Sequence, residues 1–254
     1  MSYREPLFKQ YYKAIEQLPQ QAEFTKKDLL TAQFLLEKQE DLEMYYSPHN
    51  EFINHEAKIA IVGITPGWTQ MKKAFEHAAQ SLRQGFSSSD VLRSVKQAAS
   101  FSGTMRTNLI SMLDRCGVPQ AIGSCGSESL FSDKCDLLHT TSIIKYPVFY
   151  QNKNYTGHRP KIDQSPLLTH YGFEVFPKEM EKLKSCALVI PLGKTVEQVF
   201  TALIREEKLP LHHYLFGFPH PSGANGHRKK QFDAKVLSFQ MIVQQWAKNF
   251  NSIN

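Results

Sequence analysis

A three-layer α/β/α fold around four parallel strands, carrying a helical N-terminal extension, is what this sequence predicts. Three observations lead there. Lys58-Ile59-Ala60-Ile61-Val62-Gly63 is a β-branched run with no polar face, the pattern of a strand buried on both sides of a parallel sheet. Strand-like and helix-like segments then alternate to the end of the chain, which implies crossover helices on both faces of the sheet. The chain has 254 residues and is 41% hydrophobic, enough for a substantial core.

The elements follow in order. Leu7, Tyr11, Ala14, Ile15 and Leu18 recur at helical spacing. The run Thr25–Tyr45 opens on a capping residue and carries Leu29, Leu30, Phe34, Leu35 and Leu42, which predicts a second helix. Residues 1–57 are therefore expected to be a helical extension packed on a domain formed by 58–254. The first strand is Lys58–Gly63. A loop with Pro66 and Gly67 follows, then helices over about 70–82, 91–98 and 106–115. Leu137–Ile144 is the second strand. Tyr146–His170 has little periodicity and reads as a long polar loop, a length uncommon without a function. Pro177–Lys184 is a short helix, Cys186–Leu192 the third strand and Gly193–Glu207 a helix. His213–Phe218 is the fourth strand, and one long helix is expected over about 228–249.

Lys and Arg number 30 against 24 Asp and Glu, a formal charge of +6. That excess favours acidic partners, nucleic acid first, though a solvated basic surface gives the same count. The four cysteines, Cys116, Cys125, Cys135 and Cys186, form no C-x-x-C pair, so reduced thiols and no metal are expected. Neither a leader nor a bilayer-length apolar run is visible. The chain reads as a cytoplasmic monomer with no membrane partner and no cofactor.

In open sheets of this kind ligands bind beyond the carboxyl ends of the strands. The polar, Gly- and Pro-bearing stretches fall there: 63–68, 145–147, 193–194 and 219–228. The loop from Phe218 to Arg228 is the most informative. Two prolines stiffen it, and glycines such as Gly223 let its backbone approach a ligand. His220, just past a buried strand, can donate to a developing anion. His227, Arg228, Lys229 and Lys230 stand where a helix begins, where cations oppose the dipole but suit phosphate. Pro191-Leu192-Gly193-Lys194-Thr195 ends like a phosphate loop but lacks its earlier glycine. Tyr146, Phe149, Tyr150 and Tyr155 alternate with Lys153, His158, Arg159 and Lys161, a mixture that suits stacked single-stranded bases or an ordinary packed lid.

These segments resemble the signatures of the uracil-DNA glycosylase superfamily. His220-Pro221-Ser222, followed after four residues by His227-Arg228, is similar to its second signature. Gly63-Ile64-Thr65-Pro66-Gly67 resembles its first, nearest to the mismatch-specific and single-strand-selective branches. Thr141-Ser142-Ile143-Ile144-Lys145 is similar to the middle strand, and Leu192-Gly193-Lys194 falls where the family has its backbone-clamping loop. The resemblance implies an enzyme that flips a damaged base out of DNA, double- or single-stranded, and cuts its bond to the sugar. It implies a pocket floor of Gly63, Ile64, Thr65, Pro66 and Gly67, with Thr65 at the water-holding position and Trp68 beside it. His220 would stabilise the leaving base, Ser142 would stand at the base-reading position, and Phe101 is the candidate stacking ring. Gly193, Lys194, Ser222, Gly223, Asn225, His227 and Arg228 would meet the nucleic acid backbone.

Three positions depart from the pattern. Thr65 replaces Asp or Asn, and a hydroxyl can orient a water but not deprotonate it near neutral pH. Ser142 replaces the base-reading Asn and lacks the paired donor and acceptor of an amide. Ala224 replaces the bulky wedge of some members. The cysteine spacings do not match the branch with an iron–sulfur cluster. Three readings stay open: a glycosylase of a modified base, a nucleic-acid-binding member with impaired catalysis, and a nucleobase- or nucleoside-binding protein.

Overall fold

The computed structural model describes residues 7–20 and 23–251. Its strands are β1 (Leu35–Gln39), β2 (Leu42–Tyr45), β3 (Ile59–Gly63), β4 (Leu138–Ser142), β5 (Val148–Tyr150), β6 (Lys153–Asn154), β7 (Leu188–Pro191) and β8 (His213–Tyr214). Its α-helices are α1 (Leu7–Glu16), α2 (Lys26–Leu29), α3 (Trp68–Arg83), α4 (Ser88–Ala99), α5 (Thr104–Arg115), α6 (Val118–Ala121), α7 (Pro166–His170), α8 (Phe176–Met180), α9 (Lys194–Arg205), α10 (Arg228–Asp233) and α11 (Val236–Asn251). The chain divides into two compact units, one drawn from 1–52, 65–102 and 144–159, the other from 53–64, 103–143 and 160–254.

The second unit is built on the expected parallel sheet, in the order β4-β3-β7-β8. The fold is thus α/β with a central four-stranded parallel sheet. β3 is flanked by β4 and β7, and every one of its residues is buried, which is why its sequence lacks a polar face. Register sets Gly63 opposite Ser142 and Val62 opposite Pro191, so the signature segments leave the sheet at one edge. β4 is buried but polar, and His139 answers this with an Nε2 contact of 3.1 Å to Glu179. β8 is shorter than its sequence run. Its last ladder bond is Leu215 N–H to Val189 O, and Gly217, at φ 87, then turns the chain away.

The single C-terminal helix expected over 228–249 is instead two helices. The amide of Lys235 bonds to Phe232 O, three residues back, before Phe239 resumes the four-residue pattern with Lys235 O. The Lys235 side chain lies across the bare Cα of Gly217, filling the place of a Cβ.

The first unit holds an antiparallel sheet that the sequence did not announce, in the order β1-β2-β5-β6. The helix expected over Thr25–Tyr45 is confined to the turn α2, and the rest is the β1–β2 hairpin. Its turn sets Glu40 at φ 51, and Lys38 faces Glu43 across the strands with a 2.8 Å ion pair. Leu42, Met44 and Tyr45 are buried, so packing decided against the helical spacing. The loop expected over Tyr146–His170 likewise contains β5 and β6. Gln151 and Asn152 join them at φ 48 and 61, the left-handed pair a two-residue hairpin turn requires. Phe34, Tyr46 and Phe75 form the aromatic centre of this unit, Phe34–Phe75 at 4.7 Å and Tyr11 stacked on Tyr46 at 4.0 Å. No helix among the described residues is long and apolar enough to cross a membrane.

Candidate functional site

The residues singled out from the sequence are divided between the two units. In the second unit Gly63, Ile64, Ser142, Gly193, Lys194, His220 and the loop to Arg228 lie at or beyond the carboxyl ends of the parallel strands. Gly63 and Ser142 are buried, whereas Lys194, Gly223 and His227 are exposed.

The loop after β8 is strapped from several sides. Gly193 N–H donates to Phe218 O at 2.9 Å. Asn108 Nδ2 donates to Pro221 O at 2.9 Å, and the Arg228 guanidinium donates to Pro221 O and, at 2.8 Å, to Ser222 O. Asn225 Nδ2 donates to His220 O and to Gln231 Oε1. Ser222 Oγ accepts from Ala224 N–H at 3.2 Å, which leaves its proton free to donate. Arg228 and the Asn225 amide, read from the sequence as backbone grips, therefore spend donors on the shape of the loop. Under the loop, Phe218 packs against Phe232 and Phe239 at 5.7 and 5.4 Å between centroids.

His220 is held in one chemical form. Its Nδ1 accepts the Ser222 N–H at 3.2 Å, so the ring proton sits on Nε2. Burial drives its pKa down from 6.5 to about 4, because a charged imidazolium is costly away from water. The ring is thus neutral near pH 7 and offers Nε2–H as a fixed donor. It suits charge stabilisation and not proton delivery.

Gly193 makes that seat available. Its backbone, at φ 86 and ψ 167, lies in a region open almost only to glycine. A Cβ there would also stand 3.2 Å from His220 Cβ. Gly193→Ala is expected to cost about 1–3 kcal/mol of stability and to displace His220. A urea midpoint equal to that of the parent protein would contradict this.

In the first unit, Thr65 Oγ1 donates to Tyr146 O at 2.7 Å and accepts Val148 N–H at 3.2 Å. Its one proton is committed to the backbone, leaving a single lone pair for a water. Gly67 N–H donates to Gln70 Oε1, and Trp68 N–H donates to Asn154 Oδ1, both at 3.0 Å. These cap α3 at its N-terminus. Pro66 is buried and Trp68 half-buried. Phe101 is half-buried too, and its backbone is held at φ 49, a strained conformation for a bulky residue.

Sequence reading missed four residues that shape this unit. Asn50 is fully buried; its Nδ2 donates to Lys145 O, and its Oδ1 accepts from Lys96 Nζ at 2.8 Å. Glu51 pairs with Lys145 at 3.5 Å and accepts the Tyr146 hydroxyl proton. Together they pin the segment that follows β4. Asn154 and Gln70 hold the first signature. Each bond joins residues far apart in sequence or a side chain to the backbone, so no periodicity announces it.

Residues 51–243 match the Uracil DNA glycosylase superfamily. The uncharacterized protein YoxB of Bacillus subtilis (strain 168) is 50% identical over 239 residues, spanning 94% of this chain and 93% of its own length. No solved structure matches. The match spans the parallel sheet and both signature loops, and on it the chain belongs to the uracil DNA glycosylase superfamily.

Proposed function

We propose that the protein is a DNA glycosylase, hydrolysing the bond between sugar and a flipped-out damaged or modified base. The observation that carries this reading is the neutral His220, its Nε2–H preset on a loop tied down by Asn108, Arg228 and Gly193. A donor fixed in advance stabilises charge as it develops, without reorganisation. In the proposed step the C1′–N bond breaks and its electron pair goes to the base. His220 Nε2–H stabilises the anion that forms. Water then adds to the cationic sugar carbon and loses a proton to solvent. Such an order of events asks little of a base, which agrees with a threonine at position 65. The +6 charge supports a nucleic acid partner, and the strained backbone of Phe101 supports a stacking role for its ring.

A second reading is a nucleic-acid-binding protein with catalysis lost. It is favoured by the commitment of the Thr65 hydroxyl to Tyr146 O and by Ser142 at the base-reading position.

Oligonucleotides carrying uracil, hypoxanthine, xanthine or oxidised pyrimidines distinguish the two. The glycosylase reading expects alkali-labile sites from at least one of them. Salt-dependent binding with no cleavage of any substrate would leave the second reading.

A further inference from the structure

We infer that Asn108 is a positioning residue: acting through the peptide group that joins Pro221 to Ser222, it fixes which ring nitrogen of His220 carries the proton. The catalytic consequence rests on the proposed function, which gains by it a residue that prepares the donor.

The carbonyl of Pro221 and the N–H of Ser222 belong to one planar trans peptide, so they point in opposite directions. The N–H donates to His220 Nδ1 at 3.2 Å. The oxygen is thereby aimed away from the ring, and there it accepts from Asn108 Nδ2 at 2.9 Å and from Arg228 Nη1 at 3.3 Å. Pro221 O can only accept, which settles the amide orientation of Asn108. Arg228 stands at the end of the same loop and also holds Ser222 O. Asn108 makes the shorter bond and ties the peptide to a separate helix, α5, 113 residues away in sequence.

Asn108 lies inside that helix, where asparagine is among the poorer formers. Helix stability therefore does not select it, whereas the loop carbonyl does. Pro221 is buried, and a buried carbonyl left without a donor is costly.

A peptide turned over would set its oxygen against Nδ1. Only a protonated Nδ1 can bond to an oxygen, so the ring proton would leave Nε2. Nε2 would then present a lone pair to the departing base and repel the charge developing there. Donation to Pro221 O opposes this twice. It holds the peptide plane, and it polarises the group so that the Ser222 N–H is a stronger donor.

NMR of nitrogen-labelled protein reads the His220 ring nitrogens directly. The parent protein is expected to hold the Nε2–H tautomer near pH 7. Asn108→Ala removes the donor and favours the helix, so the fold should be kept. It is expected to lower the ratio of the Nε2–H to the Nδ1–H tautomer about fivefold or more. Asn108→Asp sets an acceptor against Pro221 O and competes for Arg228, so its effect should be larger. In each variant kcat for base release should fall by a similar factor while KM holds. Unchanged His220 signals in both variants overturn the inference, whether or not Tm falls. So does a moved tautomer with an unchanged kcat. The two proposals stay separable. A tautomer that moves in a protein that cleaves no oligonucleotide rejects the glycosylase alone, and cleavage with an unmoved tautomer rejects Asn108 alone.

Discussion

His220→Ala is expected to slow single-turnover base release about 10²–10³-fold, or roughly 3–4 kcal/mol of barrier. Binding to undamaged duplex should barely change, because the donor acts on charge that appears only as the bond breaks. The pH profile gives an independent check. The folded pKa of His220 is about 4, below its ordinary 6.5. The rate should therefore show no inflection near 6.5 from this group. The unfolded chain binds its proton below about 6.5 and the folded chain only near 4. Between those values the unfolded state holds more protons, so stability falls as the pH is lowered. The full loss is on the order of 3 kcal/mol. His212, also lowered to about 4 by burial, acts in the same direction. His220→Ala removes one share and should flatten the acid limb of stability measured by denaturant between pH 7 and 4. A rate that titrates away near 6.5, or an unchanged acid limb, would contradict the assignment.

Phe218→Ala carries the largest expected cost to the fold, about 3–5 kcal/mol. The ring is fully buried against Phe232 and Phe239, which themselves lie 5.7 Å apart, with the Arg115 guanidinium 4.8 Å over Phe232. Little in that cluster can move to fill the gap. The same residue's carbonyl accepts the Gly193 amide, so collapse would also shift His220. Phe218→Leu keeps most of the volume and should cost under about 2 kcal/mol. Thermal melts of the two variants decide it: a loss below about 1 kcal/mol for the alanine would show that the cluster does not support the loop.

How far the sequence could be read depended on where the stabilising partner lay. β3 was legible because its burial on both faces writes an unbroken apolar run. The start of α9 was legible from Gly193, whereas α3 begins at Trp68, ahead of the expected start near residue 70, because side chains of Gln70 and Asn154 accept its first amides. The β1–β2 hairpin was not. Its leucines fit a helical spacing, and what selects strand is pairing with β5, some hundred residues away. The hairpin at Gln151-Asn152 lacks the usual glycine, so its turn passed for loop. Of the candidate site, His220 was visible as a residue, but its protonation state rests on the Ser222 amide and on burial. Thr65 was visible as a departure, and only the structure shows its hydroxyl tied to Tyr146 and Val148.

The sheet β1-β2-β5-β6 has a consequence for synthesis. Its first two strands leave the ribosome well before the two that complete it. Until Tyr150 emerges, the β2 edge has no neighbour on one side, and a two-stranded ribbon is barely stable in water. Nascent chains stalled short of residue 154 should therefore be prone to aggregation, and folding should be late and cooperative rather than vectorial.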